Sequence, residues 1–198
     1  MKKGIYLLLI VFLLFGFCGC KDKETVTTDK NEETETISDD AEAKEETKEE
    51  AETGPVTLSG DEYVSAVSEA FLNYGTSVGY SEIGYQDISE LDQNALDEMH
   101  IADYRVLQMD DKIFQLIVIP DGEMYPQLKA MLAASYGLTA NEQESYYTSE
   151  NDDKNGYAMR LYAGENPYLL IGFLADGSDI DTAMDEFCAQ LNTIGYTE

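Results

Sequence analysis

Apolar residues fall along this chain in three regimes. Residues 5–17 form one apolar run, preceded by Lys2 and Lys3. Residues 21–53 hold only two large aliphatics, Val26 and Ile37. From Pro55 onward, apolar positions recur in helical and strand rhythms.

The third regime predicts the folded part. Ser59 and Glu62, three apart, form a capping-box pattern. Val64, Val67, Phe71 and Tyr74 follow at helical spacing, and Gly75 is placed to end the helix. Residues 76–86 are rich in Gly, Ser and Tyr and read as loop. A short helix is predicted over 88–99, with Leu91, Leu96 and Met99 as its apolar positions. Residues 101–109 and 113–119 are strand-like runs separated by Asp110-Asp111, which signals a hairpin. Residues 124–136 read as a helix with Leu128, Met131 and Leu132 inward. Pro126 sits in its first turn, where a missing N–H is tolerated, and Gly137 lies just past its end. Residues 139–155 are polar and acidic, with partial helix expected. Strands are predicted at 157–163 and 168–175, around the turn Gly164-Glu165-Asn166-Pro167. A last helix spans 180–193, ended by Gly195. The order is ααββαββα. Its natural two-layer solution is α+β, an antiparallel four-stranded sheet with helices packed on one face.

The first regime is about 13 residues long, too short for a transmembrane helix, which needs about 20. With two lysines ahead and a charged tract behind, it has the layout of a secretory signal peptide. Its end, Phe17-Cys18-Gly19-Cys20, resembles the lipobox of bacterial lipoproteins. In that family the cysteine after the cut is diacylated on sulfur and becomes the new N-terminus. The resemblance implies that residues 1–19 are removed and that Cys20 carries diacylglycerol. The protein would then be held at the extracytoplasmic face of the cell membrane by lipid. Two acyl chains suffice for stable anchoring.

The second regime carries 14 acidic and five basic side chains over residues 21–53. Such a composition cannot bury enough apolar surface to offset chain entropy. Residues 20–54 are therefore expected to be the lipidated cysteine and a disordered acidic tether. A coil of 33 residues spans about 30 Å r.m.s.. Gly54-Pro55 marks a boundary, and residues 55–198 form one domain, large enough for its own core.

Charge narrows the partners. The formal net charge is −28. Residues 55–198 alone hold 26 acidic and five basic side chains. Nucleic acid is excluded as a partner, because phosphate binding needs clustered Lys and Arg. An anionic membrane face repels the domain over a Debye length of about 8–10 Å. Cationic or neutral envelope proteins and ligands remain, together with weak divalent-cation binding.

Once Cys18 and Cys20 are assigned to the leader and the anchor, Cys188 is alone. It has no disulfide partner and no zinc spacing. It lies among Ile180, Met184, Phe187 and Leu191, which reads as a buried cysteine acting as a small hydrophobe.

The remaining chemistry is sparse. His100 is the only histidine, at a predicted helix-to-strand junction, with Asp97 or Asp103 available to orient it. A hydrolase triad also needs a converging nucleophile, and no nucleophile-elbow motif is present. Carboxylate pairs occur at Asp61/Glu62, Asp110/Asp111, Asp152/Asp153 and Asp185/Glu186. A glycosidase needs two carboxyls about 5–10 Å apart across a cleft, which adjacent pairs at turns do not supply. Asn151-Asp152-Asp153-Lys154-Asn155-Gly156 resembles the start of a calcium loop, but Tyr162 stands where the twelfth-position Glu belongs. Asp176-Gly177-Ser178-Asp179-Ile180-Asp181 is comparable, although Asp179 reads more simply as a helix N-cap. Tyr74, Tyr80, Tyr85, Tyr146 and Tyr147 would either stack on a sugar or cationic peptide, or pack their rings and wet their hydroxyls at sheet edges.

The stretch from residue 90 to about 175 resembles a family of small uncharacterised lipoproteins from Gram-positive bacteria. The likeness rests on Glu90-Leu91-Asp92-Gln93-Asn94-Ala95-Leu96, Leu116-Ile117-Val118-Ile119-Pro120, the helix over 124–136 and Tyr168-Leu169-Leu170-Ile171-Gly172-Phe173. It implies no activity and no functional residues. The expectation is a membrane-anchored, non-enzymatic binding or interaction module, with Cys20 as its one assigned site and no cofactor or metal. The alternatives are a carboxylate-dependent enzyme acting on cell-wall or exported substrates, and a passive acidic assembly factor.

Overall fold

Lys112–Val118 runs through the middle of a seven-stranded antiparallel sheet and is buried at six successive positions. The computed structural model describes residues 56–89, 91–149 and 157–198. The signal segment, Cys20, the acidic tether, Gly54-Pro55 and the calcium-like loop at 151–156 lie outside the described residues.

The elements are β1 (Val56–Leu58), α1 (Gly60–Ser77), β2 (Ser81–Ile83), a 3-10 turn (Tyr85–Asp87), α2 (Gln93–Glu98), β3 (Asp103–Met109) and β4 (Lys112–Val118). Then come α3 (Met124–Tyr136), β5 (Leu138–Ala140), β6 (Tyr146–Ser149), β7 (Ala158–Tyr162), β8 (Tyr168–Leu174), α4 (Ile180–Leu191) and β9 (Ile194–Tyr196). The sheet order is β2-β3-β4-β8-β7-β6-β5, every neighbouring pair antiparallel. It is two meanders that meet at β4 and β8, with α3 as the crossover from the centre to the far edge. β1 and β9 form a separate parallel pair, in register from Val56↔Ile194 to Leu58↔Tyr196.

The class is α+β, but the sheet has seven strands where four were expected. The three added strands are short. β2 and β5 have three residues and β6 has four. Residues 139–155, expected to be partly helical, hold the end of β5 and all of β6. Asn141 closes the turn between them, its Oδ1 accepting the N–H groups of Ser145 and Tyr146.

The helices also cover both faces rather than one. Successive side chains of a strand point to opposite faces. Phe114, Leu116 and Val118 of β4 meet α1 and α4, through Tyr63, Val67, Phe71, Met184 and Phe187. Ile113 and Ile117 of the same strand, with Ile119 just past its end, meet Leu96 of α2 and Leu128 and Leu132 of α3. A strand covered on both sides reads as a continuous apolar run instead of an alternating one. Residues 113–119 are such a run, which is why the one-sided arrangement fails. The two hairpin-plus-helix units also differ, because α3 and α4 lie on opposite faces.

Two local expectations change. Ser59 precedes α1 but its side chain makes no capping bond, so Asp61 and Glu62 complement the helix dipole without a capping box. Gly75 does not end α1, which continues to Ser77. A Cβ on Gly75 would lie 2.2 Å from Leu107 Cδ1, so this glycine admits a sheet side chain against the helix. Gly137 does end α3, at φ +65°, a conformation that suits glycine.

Candidate functional site

Among the sequence candidates, His100 makes a contact that its neighbours in sequence did not foretell. His100 follows α2 at φ +55°. Its Nδ1 lies 2.5 Å from Asp121 Oδ2. The expected orienters do other work. Asp97 accepts from Gln93 Nε2, and Asp103 accepts from Arg105 Nε. Asp121 Oδ1 also accepts the N–H of Glu123 at the start of α3. That bond, followed by the one with His100, holds the Asp121 carboxyl below its ordinary value. His100 is about half exposed. The pair therefore ties the α2–β3 junction to the start of α3. Among the described residues, no serine or cysteine side chain bonds to His100 to complete a triad.

The carboxylate pairs stay apart. Asp61 and Glu62 open α1, Asp110 and Asp111 form the β3–β4 turn, and Asp185 and Glu186 lie on α4. Asp185 accepts from the Tyr146 hydroxyl and Glu186 from the Tyr74 hydroxyl, each at 2.7 Å. Asp152 and Asp153 are outside the described residues.

In the second calcium-like loop every carboxylate already has a partner. Asp176 accepts the Ser178 N–H and pairs with Lys112 Nζ at 3.1 Å. The Ser178 groups, then Lys112, bring the Asp176 carboxyl down to about 2. Asp179 caps α4 by accepting from the N–H groups of Asp181 and Thr182, as the N-cap reading expected. Asp181 pairs with Arg160 Nε at 2.8 Å. No group of three or more His, Cys, Asp or Glu among the described residues is placed to hold a metal ion.

Every described lysine and arginine sits beside a carboxylate. Arg105 pairs with Asp103 and Glu82, Lys112 with Asp176, Lys129 with Glu144 and Arg160 with Asp181. With 26 acidic side chains over residues 55–198, pairing leaves acids in excess.

Cys188 is buried on α4 among the first-face residues, as its apolar neighbours implied. Burial pushes its thiol up to about 12, so it is no thiolate nucleophile at neutral pH. The tyrosines pack. Tyr80 meets Phe114 edge-on at 5.5 Å, and Tyr74 meets Phe187 edge-on at 4.8 Å. Tyr85 stacks on Tyr104 at 5.3 Å. Their rings join the core while several hydroxyls reach polar partners, which is the packing reading of the tyrosine set.

The feature missed from the sequence is a buried polar centre on the second face. Gln115 is the one polar side chain in the run 113–119 and is only 3% exposed. Its Oε1 accepts from the Tyr104 hydroxyl at 2.6 Å. Both residues, with Tyr136 of α3, line a cavity of about 10 Å³ between the sheet and the helices. A polar residue interrupting an apolar strand was the available signal.

No protein-family model, no curated protein and no solved structure matches this chain. The likeness to small Gram-positive lipoproteins thus rests on the sequence features already described. Among the described residues, no helix is long and apolar enough to cross a membrane.

Proposed function

We propose that this protein is a lipoprotein of the extracytoplasmic membrane face, attached through Cys20, whose α+β domain is a non-enzymatic binding or interaction module. The observation that carries the anchoring is the order Lys2-Lys3, the apolar run 5–17 and Gly19-Cys20. The binding reading draws on the surface. Carboxylates neutralise each described lysine and arginine and remain in surplus, a field that favours a cationic envelope protein or ligand and opposes anionic ones.

Two measurements test this. Metabolic labelling with a fatty acid should mark the wild-type protein and not Cys20→Ala, which should accumulate as full-length precursor. Equal labelling of both would defeat the anchoring proposal. Crosslinking in intact cells should recover a reproducible partner whose capture weakens as salt is raised. A partner bound equally at all salt concentrations would remove the electrostatic part of the reading.

A further inference from the structure

The second-face cavity has the dimensions and chemistry of a hydration site. Its volume is about 10 Å³. A single water needs roughly 10–15 Å³ and two to four polar partners. Small-molecule sites are far larger, about 300–1,000 Å³. The walls are mostly apolar, including Leu91, Leu128 and Leu132, but Gln115, Tyr104 and Tyr136 break them.

Those three side chains are unequally satisfied. The Tyr104 hydroxyl spends its proton on Gln115 Oε1. That leaves the Gln115 Nε2 hydrogens and the Tyr104 oxygen lone pairs. Among the described residues, Gln115 Nε2 has no protein acceptor and the Tyr136 hydroxyl has no protein partner. Burial pushes the Tyr136 hydroxyl up to about 12, so it stays a neutral donor and acceptor at ordinary pH. Neither group is a sealed orphan, unlike the Tyr63 and Ser68 hydroxyls, and a mostly buried amide donor with no protein acceptor is met by water. An empty cavity of this kind is stable only when its lining is apolar.

We propose that this cavity binds one structural water molecule. The water accepts from Gln115 Nε2, exchanges a hydrogen bond with the Tyr136 hydroxyl, and donates to the Tyr104 oxygen. It thereby joins β3 and β4 to the last turn of α3. Holding this water gives Gln115 a role within the otherwise apolar run 113–119.

The test uses crystals of the protein, with and without xenon pressure. One ordered water within hydrogen-bonding distance of Gln115, and no xenon, is the expected result. Xenon in the cavity, or no density there, overturns the proposal. Gln115→Leu should expel the water, and a retained water in that variant also overturns it. If Gln115→Leu does not fold, NMR of the wild type supplies the same decision. Magnetisation transfer from a long-lived water to the Gln115 side-chain amide is expected, and its absence counts against the site. In Tyr136→Phe the transfer to Gln115 should persist with a shortened water residence time. An unchanged residence time removes Tyr136 from the site.

Discussion

Phe114, Leu116 and Val118 meet the long helices α1 and α4, whereas Ile113 and Ile117, from the same strand, meet α2 and α3. The first side is aromatic. Phe187 stacks on Phe114 at 4.5 Å and lies 5.3 Å from Phe71, with Tyr74 and Tyr80 edge-on to it. Its helices run 18 and 12 residues. The second side is mainly aliphatic. One of its helices has only six residues, and it encloses the cavity and the Gln115–Tyr104 bond. Large rings bury more area per side chain and gain from edge and offset contacts. One sheet is thus clamped by an aromatic layer and by a mainly aliphatic one. Local opening draws on the regions with fewest buried apolar contacts, and α2, whose one buried residue is Leu96, is where it is expected.

The largest test of that contrast is Phe187→Ala. Removing a ring that touches four others should cost about 3–5 kcal/mol, read from the midpoint of urea unfolding. Leu132→Ala, beside the cavity, should cost less, about 2–3 kcal/mol at the lower end of such truncations. Equal losses would mean that the two faces are equally dense. Gly172→Ala probes the first face from the opposite direction. Its Cβ would lie 2.8 Å from Met184 Sδ and 2.9 Å from Phe114 Cε1, so overpacking should cost about 1–3 kcal/mol. A neutral or stabilised variant would show slack where the comparison requires none.

The smallest effect is electrostatic and lies outside both layers. Asp176 is held down to about 2, against about 4 in an unfolded chain. A depressed carboxyl contributes stability that is complete above the unfolded value and is lost as pH falls through the folded one. The stability difference between wild type and Asp176→Asn should therefore be constant above about pH 4 and vanish near pH 2. A difference that grows on acidification would reverse the sign.

The long, periodic elements were legible in the sequence. The 124–136 helix has its predicted bounds, because Pro126 and Gly137 punctuate it and Leu128 and Leu132 fix its buried side. The apolar runs of β4 and β8 were equally plain. The short strands β2, β5 and β6 were not, since three or four residues are too few to show a period. Backbone bonds to a neighbour create such strands, and that neighbour is distant in sequence. The faces chosen by the helices were hidden for a related reason. An apolar run announces burial on both sides without saying which helix supplies each cover. At the candidate sites, Cys188 was readable from its helical neighbours. Asp121 was not readable as the partner of His100, because tertiary folding brings together residues 21 apart. Gln115 was passed over within the apolar run 113–119, because its meaning depends on Tyr104 and Tyr136.

The parallel pairing of β1 with β9 has a mechanical consequence. Val56 N–H donates to the Thr193 carbonyl, and Thr197 N–H donates to the Leu58 carbonyl. A load arriving at Val56 along the strand is met by bonds to the last strand acting side by side. Bonds stressed in shear share the force, whereas bonds peeled from one end fail in turn. The first and last strands therefore work as a splice, and shortening either one removes the grip of the other.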